Sequence, residues 1–180
     1  MKLFINNLLW KLTGYRFYKV DMSEYSYGKG GDRPELYSHI PKNLSGKKLD
    51  IGSAYGSWAK KNLTNVTTID QQGDADVRGD ICQMPFKDGE FDAIFCFEVL
   101  EHVKDPIKAI SEMKRVLKPG GRLFASTPFI AEIHGEEYGD YWRFTRQGLK
   151  QIFEKFSSTE VVHFGRNELK PHHYLVKAIK

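Results

Sequence analysis

The chain has 180 residues, enough for one domain with a sizeable core, and its 41% hydrophobic and 28% charged residues exclude both a disordered segment and a membrane bundle. Its formal charge of +4 is spread over interleaved acids and bases, so no nucleic-acid partner is expected, and its two cysteines, Cys82 and Cys96, exclude a disulfide framework and a paired zinc motif. No run approaches the roughly 20 apolar residues of a bilayer span, and a reducing cytoplasm is the expected setting.

In chain order, Met1 to Val20 comes first, with Lys2, Lys11, Arg16 and Lys19 and no acid. Wound as a helix it sets Phe4, Ile5, Leu8, Leu9 and Leu12 opposite Asn6, Asn7 and Lys11, while Leu3 and Trp10 break the pattern. Two readings follow: a helix packed on the domain's own flank, or a peripheral contact with a membrane surface. The short, asparagine-interrupted apolar part does not read as a signal peptide. Tyr25 to Pro34 is glycine-rich and aromatic, a lid over a ligand or a linker. Residues 1–45 are accordingly assigned to an N-terminal helix and lid segment, and 46–180 to the domain proper.

From Lys47 the pattern alternates short β-rich runs with helical stretches, as in a parallel-sheet α/β domain. Strands are predicted at Lys48 to Ile51, Val66 to Asp70, Asp92 to Phe97 and Arg122 to Thr127. A helix is predicted over Asp105 to Lys118, with Asp105 as cap, Pro106 in the first turn and Pro119-Gly120-Gly121 as its stop. A second is predicted from Arg146 to Phe156, capped by Thr145. The last strands, Thr159 to Phe164 and Tyr174 to Lys180, are joined too closely for a helical crossover and should form an antiparallel hairpin. Gln71 to Asp76 is likewise too short to hold a helix, so one peripheral helix is missing. The expected fold is a Rossmann-like, doubly wound, mostly parallel sheet ending in that hairpin.

The chemistry-bearing residues gather at strand ends. Leu49-Asp50-Ile51-Gly52-Ser53-Ala54-Tyr55-Gly56 is a strand running into a glycine-bearing turn, and Gly52 and Gly56 let a ligand lie against the main chain. Asp70 ends the second strand where a carboxylate can accept from both hydroxyls of a ribose. Asp80, in Gly79-Asp80-Ile81-Cys82, can accept from an exocyclic amine or simply make a turn. Glu98, at the end of the strand to Phe97, is a third strand-end acid at the crevice edge and is counted with the cofactor-binding residues. The turn lacks the G-x-G-x-x-G that seats a pyrophosphate, which argues against a dinucleotide.

Taken together, LDIGSAYG, TTID, GDICQMPF, FDAIFCFEVLEHV and RVLKPGGRLF, in this order over Lys47 to Leu123, resemble the class I S-adenosylmethionine-dependent methyltransferases, especially the branch labelled methyltransferase type 11. The resemblance implies S-adenosylmethionine as cofactor. It assigns the methionine part to the turn from Asp50 through Ser53 to Gly56, the ribose to Asp70, and the adenine to Asp80 with the Ile81 backbone. Ser53 and Ala54 replace the cysteine and middle glycine usual in that family, which narrows the space beside the methionine carboxylate. No Asn/Asp-Pro-Pro-Tyr/Phe run follows the strand ending at Phe97, which argues against nucleobase amines.

For the acceptor, His102 at the carboxyl end of that strand is the first candidate for a general base, against a packing or capping role, and His134 is the second. Phe129 to Phe144 is a long loop over the same edge, and Tyr141, Trp142 and Arg143 are its candidate substrate contacts, unless the aromatics anchor it to the core. The loop looks like those of methyltransferases associated with glycan synthesis. O-methylation of a small molecule or glycan is therefore expected, with no metal, since His172-His173 lacks partners at ligand spacing. The rival reading is a noncatalytic protein that keeps the cofactor-binding fold, held at a membrane surface by its first helix.

Overall fold

The computed structural model describes residues 34–53, 56–135, 137–165 and 171–180. The predicted N-terminal helix and most of the lid segment fall outside the described residues, as do Ala54 and Tyr55 of the first turn. Residues Arg33 to Lys180 form one structural unit.

That unit is built on a seven-stranded sheet. Its elements are α1 (Pro34–Ser38), β1 (Lys48–Ile51), α2 (Trp58–Asn62), β2 (Val66–Asp70), β3 (Val77–Arg78), β4 (Phe91–Phe97), a 3-10 turn (Leu100–His102), α3 (Pro106–Val116), β5 (Leu117–Pro128), α4 (Arg146–Ile152), β6 (Ser158–Gly165) and β7 (Pro171–Ile179). The sheet order is β3-β2-β1-β4-β5-β7-β6. The strands from β1 to β5 pair in parallel, and β7 runs antiparallel to both β5 and β6. This is the expected α/β fold, with the C-terminal hairpin inserted so that β7 lies inside. The chain walks outward from β1 to β3 and then crosses back to β4, which puts the topological switch between β1 and β4. In open α/β sheets, ligands bind beyond the strands' carboxyl ends at such a switch.

Interior strands of a doubly wound sheet bury both faces, and all four residues of β1 are buried. Alternation along β4 sends Ile94 and Cys96 into one core and Ala93 and Phe95 into the other. The first core is closed by Ala109, Ile110, Met113 and Val116 of α3 and by Leu149 of α4. On the opposite face, Leu36, Ile40 and Ala59 cover Phe95, Phe124 and Leu175.

The predicted caps are present. The Asp105 carboxylate accepts from the Lys108 amide (2.9 Å) ahead of Pro106, and the Thr145 hydroxyl accepts from the Gly148 amide (3.1 Å). Several boundaries differ from the sequence reading: β5 begins at Leu117 and β7 at Pro171, each earlier than expected. Helix α3 stops at Val116, before Pro119-Gly120-Gly121, because Leu117 already pairs with Phe91 and belongs to β5. Helix α4 stops at Ile152, although Phe153 and Phe156 remain buried in the turns that follow. Strand β3 escaped notice because only two residues pair, Val77 with Ile69 and Arg78 with Asp70.

The missing helix between β2 and β3 has a local substitute. Asp76 Oδ2 accepts from the amide (2.9 Å) and hydroxyl (3.0 Å) of Thr68, the Thr68 hydroxyl accepts from the Asp76 amide (2.9 Å), and Lys60 Nζ lies 2.6 Å from Asp76 Oδ1. Hydrogen bonding from Lys60, then from Thr68, holds the Asp76 carboxyl below its ordinary range. These bonds close a six-residue turn that a crossover helix would otherwise span.

Candidate functional site

Every feature of the crevice starts at a strand end. At the end of β1, Asp50 is 5% exposed, and burial raises its carboxyl to about 6 despite the hydroxyl donated by Ser57. Gly52 follows with φ +78°, and its amide donates to Ile69 O (3.0 Å). A Cβ there would meet Val99 Cγ2 at 2.2 Å, so the loops after β1 and β4 touch at the switch point. Gly56, at φ +124°, is required by conformation and not by space, since a Cβ would meet nothing closer than Lys61 Nζ at 3.8 Å. Ser53 is buried beside them.

At the end of β2, one Asp70 oxygen accepts from the Gln72 amide (2.9 Å), and the Asp70 carbonyl accepts from the Gly79 amide (2.9 Å). Asp80 is exposed and shapes a turn, its carboxylate accepting from the Cys82 amide (2.8 Å) and its carbonyl from the Gln83 amide (3.0 Å). Ile81 buries its side chain in the first core. Arg115 fixes this segment from α3 by donating to Met84 O (3.0 Å) and Phe86 O (2.8 Å), while Glu112 accepts from the Met84 amide (3.0 Å). Asp50 and Asp70 lie at the carboxyl ends of β1 and β2, and Asp80 just beyond that of β3, on one edge of the sheet.

Glu98, after β4, has φ +54°, a left-handed conformation that costs a non-glycine residue roughly 1–3 kcal/mol. A cross-strand bond holds it there, Ser126 Oγ donating to Oε1 (2.6 Å), and His173 Nε2 lies 3.2 Å from Oε2. The sequence assigned Glu98 to the cofactor, and the structure ties it to β5 and β7.

The 3-10 turn that follows carries Glu101 and His102. The Glu101 side chain is fully buried, and its carbonyl accepts from the amides of Tyr141 (2.7 Å) and Trp142 (3.2 Å), which docks the long loop onto this turn. Trp142 adds an indole N–H bond to Val103 O (2.8 Å) and stacks near Phe144 at 6.3 Å between centroids. Trp142 through its indole N–H and Phe144 by burial anchor the loop, although the Trp142 ring, like Tyr141, is exposed (42% and 46%). Arg143 turns inward: it pairs with both oxygens of Asp140 and donates to Glu132 O (3.3 Å), and its hydrogen bonds hold the Asp140 carboxyl down at about 2.

Where this loop meets the 3-10 turn, the two predicted histidines come together. His102 and His134 lie edge to face with centroids 4.8 Å apart, and Tyr138 stands against His102 at the same distance. His102 Nδ1 lies 2.5 Å from Gly139 O, and a carbonyl only accepts, so Nδ1 carries the proton. Nε2 then holds the lone pair, 3.8 Å from Glu101 Oε1. Desolvation is the main cause that keeps the His102 imidazole below its ordinary range, so the ring is neutral near pH 7. Glu101, Tyr138 and Asp140 complete the cluster. The sequence reading gave none of them a role, because their contacts span dozens of residues and leave no local pattern.

Residues 48–125 match a family model described as a methyltransferase domain. The ubiquinone biosynthesis O-methyltransferase of Pseudomonas aeruginosa is 34% identical over 122 residues, 53% of this chain and 53% of that protein. The chain spans about half or less of the curated relatives it matches. Among solved structures, an S-adenosylmethionine-dependent methyltransferase from Mesorhizobium loti superposes with a TM-score of 0.66 at 17% identity, over 82% of this chain and 96% of that one. The 1,6-didemethyltoxoflavin-N1-methyltransferase of Burkholderia thailandensis, solved with its substrate and S-adenosylhomocysteine, gives 0.63 at 16% identity, over 81% and 75%. At these identities the structural likeness is one of fold.

Proposed function

With residues 48–125 forming a methyltransferase domain of the class I, type 11 branch, we propose that the chain transfers a methyl group from S-adenosylmethionine to an oxygen of a small molecule or glycan. The observation that carries this reading is the acidic edge. Asp50, buried at the end of β1 beside the left-handed Gly52, faces the methionine amine; Asp70 takes the ribose hydroxyls; Asp80 and the Ile81 backbone take the adenine. The fit is chemical: a buried carboxyl raised to about 6, chiefly by desolvation, suits a ligand that brings its own positive charge.

The bound cofactor would supply an electrophilic methyl group on a sulfonium. The chain's own work is to hold the acceptor in line, exclude water and take a proton. When the acceptor takes that methyl group, the cofactor would leave as a neutral thioether and the acceptor's hydroxyl proton would pass to His102 Nε2. Gly139 O, bonded at Nδ1, fixes the tautomer that makes this transfer available. Exposed Tyr141 is the substrate contact of the lid, and Trp142 and Arg143 hold the lid in place. The O-methyltransferase relative favours oxygen as the acceptor.

Release of S-adenosylhomocysteine, measured against panels of hydroxylated and amine acceptors, tests the reading. Turnover with a hydroxylated acceptor that falls in His102→Ala supports it. Cofactor binding without turnover on any acceptor of either panel would favour the noncatalytic protein instead.

A further inference from the structure

We propose that Glu101, His102 and His134 form a binding site for a divalent cation of the first transition series. Among the described residues, these three offer one ligand atom each, all within 4.8 Å of one another. Two imidazole nitrogens and a carboxylate oxygen suit cobalt, nickel, zinc, iron or manganese, whereas calcium and magnesium favour all-oxygen shells.

The support around the histidines points the same way. A metal-binding histidine is usually held through its other ring nitrogen, which donates to a backbone carbonyl or carboxylate. Both rings show that arrangement: His102 Nδ1 is bonded to Gly139 O (2.5 Å) and His134 Nδ1 to Glu132 O (3.0 Å). For His102 this leaves Nε2 as the lone-pair nitrogen. Glu101 contributes a carboxylate with no exposed surface, 3.8 Å from His102 Nε2. The donors come from the 3-10 turn and from the lid, so an ion would tie the two together. Three protein ligands also leave a position open, as catalytic sites do.

This inference does not rest on methyl transfer, since it needs only the three side chains. It does bear on the chemistry, because a cation and a proton compete for the same Nε2. His102 Nε2 therefore serves as the base only in the metal-free form.

The test uses the tag-free chain, stripped with a chelator and titrated with cobalt(II) while its visible d–d bands are followed. One ion per chain is expected, displaced by zinc, with affinity at least about tenfold weaker in His134→Ala and in Glu101→Gln. Because Glu101 is buried, circular dichroism of each variant checks folding, and His134→Ala, on the half-exposed lid, decides if Glu101→Gln unfolds. Absence of the bands, or unchanged affinity in a folded His134→Ala, would overturn the site. S-adenosylmethionine binding to the same samples reports separately on the methyltransferase reading.

Discussion

Asp50, Gly52 and Asp70 each lie within a residue of a strand end, whereas the acceptor cluster joins His102 to Gly139, which is 37 residues distant in the chain. The first group is placed by the sheet: once β1 and β2 pair in register, their carboxyl ends and the glycine between them have nowhere else to go. The second is placed by a loop that closes on the 3-10 turn and the residue after it through two amides and an indole, and is braced within itself by an Arg143–Asp140 pair. Their electrostatics differ as well. Burial raises Asp50 to about 6, and an adjacent guanidinium lowers Asp140 to about 2. One region waits for a charge from a ligand, and the other carries its own compensation.

That contrast makes the two regions separable by mutation. His102→Ala should give the largest effect, a fall of about 10²–10⁴ in kcat with S-adenosylmethionine affinity unchanged by calorimetry. A parallel loss of affinity would mean the regions are coupled. Asp50→Asn should act oppositely on the two properties. A carboxyl moved from 3.8 to about 6 binds its proton more tightly when folded, so stability falls as pH rises from about 4 to 6, at about 1.4 kcal/mol per pKa unit. At pH 7.5 the variant should be more stable than the wild type by up to about 3 kcal/mol in thermal or urea melts, yet bind cofactor more weakly. The gap should close at pH 4.

Asp70→Ala should cost about 2 kcal/mol of cofactor affinity, roughly 30-fold, through lost hydrogen bonds to a charged acceptor. It should leave lid proteolysis unchanged. Trp142→Ala is the smallest, about 1 kcal/mol in kcat/KM, with faster lid proteolysis and intact cofactor binding.

How far the sequence could be read follows from the same contrast. Strand positions, the Asp105 and Thr145 caps and the closed hairpin depend on short-range patterns and were legible. The stop of α3 was misplaced because Pro119-Gly120-Gly121 reads as a terminator, while the pairing of Leu117 with Phe91 leaves no local trace. Gly52 was visible as a turn glycine, but its approach to Val99 was not. His102 and His134 were picked for chemistry alone. Their meeting, and the inward turn of Arg143 that spends its charge on Asp140, needed the folded loop.

The central claim is that the acidic edge is a site for S-adenosylmethionine. Calorimetric titration of the chain with S-adenosylmethionine, S-adenosylhomocysteine and NAD at pH 6, in two buffers of different ionisation enthalpy, tests it most directly. The account predicts micromolar binding of the first two and none of NAD, with proton release on binding as the ligand's amine draws Asp50 into its charged form. No binding of either sulfur compound, or binding of NAD in their place, would contradict it.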